Sequence, residues 1–257
     1  MSGVWWWVKS RALFALMVLL LVPSVTAAGL TVDDLVQHMD SLWRGKTSKA
    51  VMSMQVKTER YERTMSMASW SLGQDYSLVV IREPIKDKGI ATLKVEQNIW
   101  NYLPKINRVT KVPASMMSGS WMGSHFTNDD LVKESSYAED YESAISFTGL
   151  RDGTDVYEVT SVPRPDSAVV WGKIVMILRQ QDLLPVEVRY FDEQEILVRT
   201  LTFADEKQLD GRLVPMRMTL QPVDKSDEST TILYEDIEFN VPIAPSFFSL
   251  QNLKRMR

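Results

Sequence analysis

The sequence predicts a mainly β protein with a few helices, built as one long antiparallel meander. Three observations carry this. From Ser48 the apolar period changes to two, with Met52, Met54 and Val56 on one face and Met65 and Met67 repeating the spacing in the next segment. Short β-forming segments then follow one another, separated by turn formers such as Glu83-Pro84, Asp87-Lys88-Gly89 and Pro104-Lys105-Ile106-Asn107. Helical spacing is confined to three brief stretches, too few for a parallel sheet with crossover helices.

The first of these is Thr31 to Trp43. It opens on an N-cap candidate, carries Asp33 and Asp34 in its first turn, and spaces Val32, Leu35, Val36, Met39, Leu42 and Trp43 at three and four, giving an amphipathic helix. After the first two strands, segments near 74–82, 89–95, 97–103 and 107–112 continue the meander. A short helix opened by Thr127-Asn128-Asp129-Asp130-Leu131 interrupts it. Segments near 143–149, 154–161, 172–180, 185–192, 195–205, 212–221 and 230–239 resume it, and a last helix lies near Phe247 to Leu253. About eleven strands are expected in all.

Several strands are apolar on both faces: Leu78 to Ile81, Val169 to Trp171, and Ile174 to Leu178. A sheet with one wet face alternates cleanly, so this pattern requires cover on both sides or a hollow that holds something greasy. Methionine is abundant, with fourteen residues, and Met216 and Met218 also fall at strand spacing. Such a flexible, polarizable side chain serves equally to fill gaps in an ordinary core or to line a surface for variable partners.

The N-terminus reads as a secretory signal peptide over residues 1–28. Lys9 and Arg11 precede the apolar run Ala12 to Val22, and Val25-Thr26-Ala27-Ala28 supplies small residues for cleavage near Ala27/Ala28. Eleven apolar residues fall short of the roughly 20 that span a bilayer as a helix, although Val4 to Val8 lengthen the stretch towards an uncleaved anchor. The mature part, residues 29–257, then forms one domain, with no linker, low-complexity tract or clean repeat, and no permanent membrane span. The chain has no cysteine, hence no disulfide, thiolate metal site or lipid-attachment cysteine after the cleavage point. In a diderm bacterium this predicts the periplasm. Loss of Lys9 and Arg11 with the leader shifts the formal charge from −4 to −6, and an acidic domain makes a poor nucleic-acid binder.

Catalytic signals are weak. The two histidines are His38, on the first helix, and His125, beside Ser124 and upstream of Asp129 and Asp130. Adjacent residues on a strand point to opposite faces, so Ser124 and His125 cannot act as nucleophile and base. No nucleophile elbow, metal-ligand spacing or glycine-rich phosphate loop occurs, and Asp129 and Asp130 serve as first-turn acids of a helix. The expectation is a non-enzyme with no cofactor and no metal.

One dense region remains: Ile99-Trp100-Asn101-Tyr102-Leu103-Pro104 with Arg108-Val109, then Trp121-Met122-Gly123-Ser124-His125-Phe126-Thr127-Asn128-Asp129-Asp130-Leu131. Here the chain resembles the outer membrane lipoprotein-sorting protein family, a LolA-like group of exported proteins, in element order over most of residues 30–250. The resemblance implies an incomplete antiparallel β-barrel with an apolar hollow closed by a helical lid, as in LolA and LolB. It implies a periplasmic carrier or chaperone holding a lipid or the acyl chain of a lipoprotein, with an inner-membrane transporter as a further partner. The chain departs from the family pattern at His125, where an acid is expected, and the basic residue that contacts the lid has no clear counterpart, Arg44 being the nearest candidate.

The residues expected to line the hollow are Met52, Met54, Val56, Met65, Met67, Leu78, Val80, Trp100, Tyr102 and Met218, with Trp121, Met122 and Phe126 at the rim. A one-residue slip in register reverses the face of any of them. A sensor or adaptor subunit of an inner-membrane exporter, binding a protein partner through the same fold, is the alternative, and it requires an exposed apolar patch rather than a deep cavity.

Overall fold

The computed structural model of the chain describes residues 30–133, 140–167 and 169–256; the segment read as a signal peptide lies outside them. Helix α1 (Val32–Ser41) starts where the caps predict. The Thr31 hydroxyl accepts from the Asp34 amide, and the Asp34 carboxylate accepts from the Thr31 hydroxyl at 2.7 Å and the Thr31 amide at 2.9 Å. Those two donors hold the Asp34 carboxyl below the usual carboxylate range.

Among the described residues thirteen strands follow, one for each segment named from the sequence, against the round figure of about eleven: β1 (Thr47–Lys57), β2 (Glu62–Leu72), β3 (Tyr76–Glu83), β4 (Ala91–Val95), β5 (Asn98–Leu103), β6 (Arg108–Lys111), β7 (Tyr141–Arg151), β8 (Thr154–Pro163), β9 (Lys173–Arg179), β10 (Pro185–Phe191), β11 (Leu197–Leu209), β12 (Arg212–Pro222) and β13 (Ser229–Phe239). Helix α2 (Asn128–Lys133) lies between β6 and β7, and α3 (Leu250–Leu253) ends the fold. All strands form one antiparallel sheet in the order β6-β5-β4-β3-β2-β1-β13-β12-β11-β10-β9-β8-β7. Pairing of β1 with β13 joins the two halves, while β6 and β7 stand at the ends without pairing to each other, so the barrel is incomplete.

Alternation along the strands gives the sheet two faces. Met52, Met54 and Val56 of β1, Met65 and Met67 of β2, Val79 and Ile81 of β3, Ile174, Met176 and Leu178 of β9, and Leu201 of β11 pack in one cluster with Leu35 and Val36 of α1, Trp121 and Phe126. This is the hollow face. On the reverse of β3 to β5, Leu78, Val80, Ala91, Leu93 and Tyr102 pack beneath Phe248 and Leu253 of the C-terminal segment. Two of the three two-sided apolar runs are strands with cover on both sides: β3 buries Leu78 and Val80 outwards and Val79 and Ile81 inwards, and β9 buries Val175 and Ile177 against Val156 on its outer side, whereas Val169 to Trp171 lie ahead of β9, outside any strand, and are half-buried. Each fully buried aliphatic chain contributes about 1.5–3 kcal/mol.

Candidate functional site

The hollow is not packed solid. Across β1 and β2 its lining grades from large to small: Met54 stands opposite Met65 and Met52 opposite Met67, but Ala50 faces Ser69 and Ser48 faces Ser71. Where the side chains shrink a cavity of about 160 Å³ opens. Met39 and Trp43 close it from the α1 side, Trp121 and Phe126 from another, and Met176, Met218 and Phe203 complete much of the wall. Trp43 stacks on Phe203 with centroids 5.6 Å apart and donates its indole N–H to the Pro215 carbonyl at 2.8 Å. A second chamber of about 500 Å³ lies towards β3–β6, lined by Ile81, Ile90, Thr92, Leu103, Met116 and Met122 among others.

Residues 120–131 form the partition. Trp121 and Phe126 face the smaller cavity, whereas Ser120, Met122 and Asn128 face the larger. Trp121 donates its indole N–H to Thr92 Oγ1 at 3.1 Å, and its amide donates to the Phe126 carbonyl at 2.7 Å, closing a tight loop. Met122 sits at φ 51° ahead of Gly123 at φ 72°, a left-handed pair that strains the non-glycine residue. Tyr61 Oη holds the loop tip by donating to the Gly123 carbonyl at 2.8 Å.

Polar side chains bind this partition to the opposite wall. Asp130 accepts from the Thr127 amide at 2.7 Å as part of the α2 cap, and Arg199 of β11 grips the same carboxylate. The Arg199 side chain is only 4 % exposed and that of Asp130 8 %. The guanidinium carbon lies 4.2 Å from the Trp171 ring centroid and 4.3 Å from that of Tyr190, and Arg199 Nη1 also donates to the His125 carbonyl at 3.2 Å. Tyr141 Oη donates to the Trp171 carbonyl at 3.2 Å, and burial pushes its hydroxyl pKa up. His125 approaches Thr230 Oγ1 at 2.8 Å through Nδ1 and Glu228 at 3.1 Å through Nε2. The His125 ring, with help from the Glu59 amide, holds the Glu228 carboxyl down to about 2. Ser124 instead donates to the Trp121 carbonyl at 2.7 Å and accepts from the Phe126 amide at 3.1 Å, so Ser124 and His125 are separately engaged.

Of the residues expected to line the hollow, Met52, Met218, Trp121 and Phe126 border the smaller cavity and Met122 borders the larger. Met54, Val56, Met65 and Met67 lie on the same face, fully buried in the solid part of the cluster. Leu78, Val80, Trp100 and Tyr102 lie on the reverse face, one register step from Val79 and Ile81. Arg44 borders the cavity, but the buried cation that holds the partition is Arg199. A signal for it exists in the sequence: Arg199 shares a strand face with Leu201 and Phe203, a charge in an otherwise apolar stripe, which requires a buried partner.

An incomplete antiparallel barrel with its hollow closed by a loop and a short helix is a LolA-like fold. Residues 73–255 match the model of a family described as "Uncharacterized protein", and the chain belongs to this family. Among solved structures, a DUF1329 family protein from Desulfovibrio piger superposes with a TM-score of 0.78 at 23% identity, over 86% of this chain and 96% of that one. A domain assigned to the outer membrane lipoprotein-sorting proteins, from Vibrio parahaemolyticus, gives 0.74 at 27% identity over 86% and 97%. A LolA superfamily protein from Nitrosomonas europaea gives 0.74 at 18% identity over 87% and 99%. No curated protein matches the chain. Among the described residues, no helix is long and apolar enough to cross a membrane.

Proposed function

We propose that the protein is a periplasmic, non-enzymatic carrier that holds a hydrophobic molecule, a lipid or the acyl chain of a lipoprotein, in the hollow of its half-barrel. The observation that carries this is the apolar cavity left beneath α1 and Phe126, where Ser48, Ala50, Ser69 and Ser71 replace the methionines that fill the rest of that face. Transfer of an acyl chain from water into such a wall gains about 0.8 kcal/mol per CH₂. The likeness to the lipoprotein-sorting domain at 27% identity supports a carrier of this kind.

The size of the cavity adds a requirement. About 160 Å³ is the volume that accepts a benzene-sized guest, so a longer chain enters only when the 120–131 partition withdraws and joins this cavity to the 500 Å³ chamber. That movement requires the buried Arg199–Asp130 pair to open to water and Trp121 and Phe126 to leave the cluster, where the entering chain takes their place. Native mass spectrometry on protein purified from the periplasm without detergent, followed by lipid analysis of the released ligand, tests the proposal. A discrete added mass released as an acylated molecule is the expected result; a bare chain that also refuses added lipids would refute it.

A further inference from the structure

The turn between β3 and β4 and the turn between β5 and β6 leave the sheet at the same end. Ala91 at the start of β4 pairs with Tyr102 near the end of β5, so residues 84–90 and 104–107 are neighbouring turns. Two strand spacings separate their centres, about 10 Å. At the tips stand Ile85, 89% exposed, and Ile106, 63% exposed, two of the barest large apolar side chains among the described residues. Around them are Lys86, Lys88, Lys105 and Arg108, all exposed. Against these four cations stands one exposed acid, Glu83, because Asp87 is taken by Arg63 at 3.0 Å. The chain as a whole carries −4, so this corner is a local reversal of charge.

The neighbouring turns at that end make the contrast sharper. Val223 and Ile196 are also exposed there, but beside Asp224 and Asp227 in one turn and Glu193 and Glu195 in the other. The β1–β2 turn brings Glu59 and Arg60 together, which cancel. Among the described residues of these turns, the β3–β6 corner alone combines bare isoleucines with an excess of cations.

We infer that these two turns dock the protein on an anionic membrane surface, with Ile85 and Ile106 entering the interface and Lys86, Lys88, Lys105 and Arg108 meeting lipid phosphates. Cations flanking protruding apolar residues are the chemistry of interfacial membrane attachment, where each cation contributes through the negative surface potential. The corner also opens on the larger chamber. Leu103, directly before the second tip, and Met116, 58% exposed, both line the 500 Å³ chamber, so docking sets its mouth against the bilayer.

Flotation of the mature chain with vesicles of neutral phosphatidylcholine, or of phosphatidylcholine with about one third phosphatidylglycerol, tests this. The expected result is binding to the anionic vesicles alone, weakened by salt. Neutralising the three tip lysines by Lys86→Gln, Lys88→Gln and Lys105→Gln reduces it on the order of a hundredfold, and Ile85→Asp with Ile106→Asp abolishes it. Because every substituted side chain is exposed, the thermal midpoint stays at the wild-type value, which separates lost docking from lost fold. Failure of the wild type to float with anionic vesicles, or equal flotation of both variants, would overturn the inference. A wild-type dimer that the isoleucine substitutions dissolve, with no vesicle binding, would overturn it in favour of self-association.

Discussion

Arg199 Nη2 lies 2.5 Å from Asp130 Oδ1 and Arg199 Nη1 lies 2.9 Å from Asp130 Oδ2, a two-point grip between residues 69 positions apart. It ties β11 to the first turn of α2 and so fixes the partition across the hollow. Removing one partner strands a buried charge, at about 3–5 kcal/mol, whereas replacing both by apolar groups of similar size removes that penalty. Arg199→Met is therefore expected to speed amide exchange through residues 120–131 and to lower the thermal midpoint. Arg199→Met combined with Asp130→Leu recovers most of the midpoint. Hydrogen exchange read by mass spectrometry checks both, and unchanged exchange over 120–131 in the single variant would show that the grip does not hold the partition.

The strands were legible because alternation is a local signal: Met52, Met54, Met65 and Met67 do share the hollow face. Helix α2 was legible from Thr127 and its first-turn acids, and the last helix lies within the stretch expected for it, near Phe247 to Leu253. Face assignment failed to carry over to β3 and β5, where Leu78, Val80, Trp100 and Tyr102 point away from the hollow. Leu78 to Ile81 are buried without a break, so they contain no alternation to set a register, and the cover on their reverse comes from Phe248 and Leu253, about 170 residues away in the sequence. The cavity itself was hidden for a related reason. It arises from small residues, Ala50 and Ser69 opposite each other, whose pairing is visible only once the strands are in register.

The His125 contact predicts a dependence on acid. With the Glu228 carboxyl held at about 2 in the fold against an ordinary 4.5, the deprotonated form is favoured by folding. The stability this contributes is complete above about pH 4.5 and is lost as pH falls from there towards 2. Glu228→Gln removes that component, so the urea midpoints of wild type and variant are expected to differ most at pH 6, to draw together below about pH 4.5 and to converge only towards pH 2. A gap that stays constant over this range would mean that the Glu228 carboxylate gains nothing from the fold.

Gly172 is a packing requirement rather than a flexible link. A Cβ there would collide with the backbone carbonyl of Asp192, and the Gly172 amide donates to the Phe191 carbonyl at 3.0 Å. Its neighbour Trp171 is the ring against which Arg199 rests. Gly172→Ala is expected to push the chain out by the width of a methyl group, at about 1–3 kcal/mol, and to quench or shift the fluorescence of Trp171 through its altered contact with Arg199. Equilibrium unfolding measures the first effect and emission spectra, compared with a Trp171→Phe background, measure the second.

Filling the cavity separates ligand binding from stability. Ser69 borders the empty space opposite Ala50, so Ser69→Leu places three more carbons where none now pack, without displacing the Met52–Met67 and Met54–Met65 pairs. Each buried CH₂ adds about 0.8 kcal/mol when it fits, so the thermal midpoint is expected to hold or rise while uptake of an apolar fluorophore falls at least tenfold. Met54→Asp has the opposite character: Met54 has no exposed surface, and an unpaired carboxylate there unfolds the sheet before any binding can be read. Trp100→Ser, on the reverse face, is expected to lower stability yet leave fluorophore affinity within twofold. A Ser69→Leu protein that is stable and still binds the fluorophore at wild-type affinity would place the ligand outside this cavity, leaving the 500 Å³ chamber as the place to look.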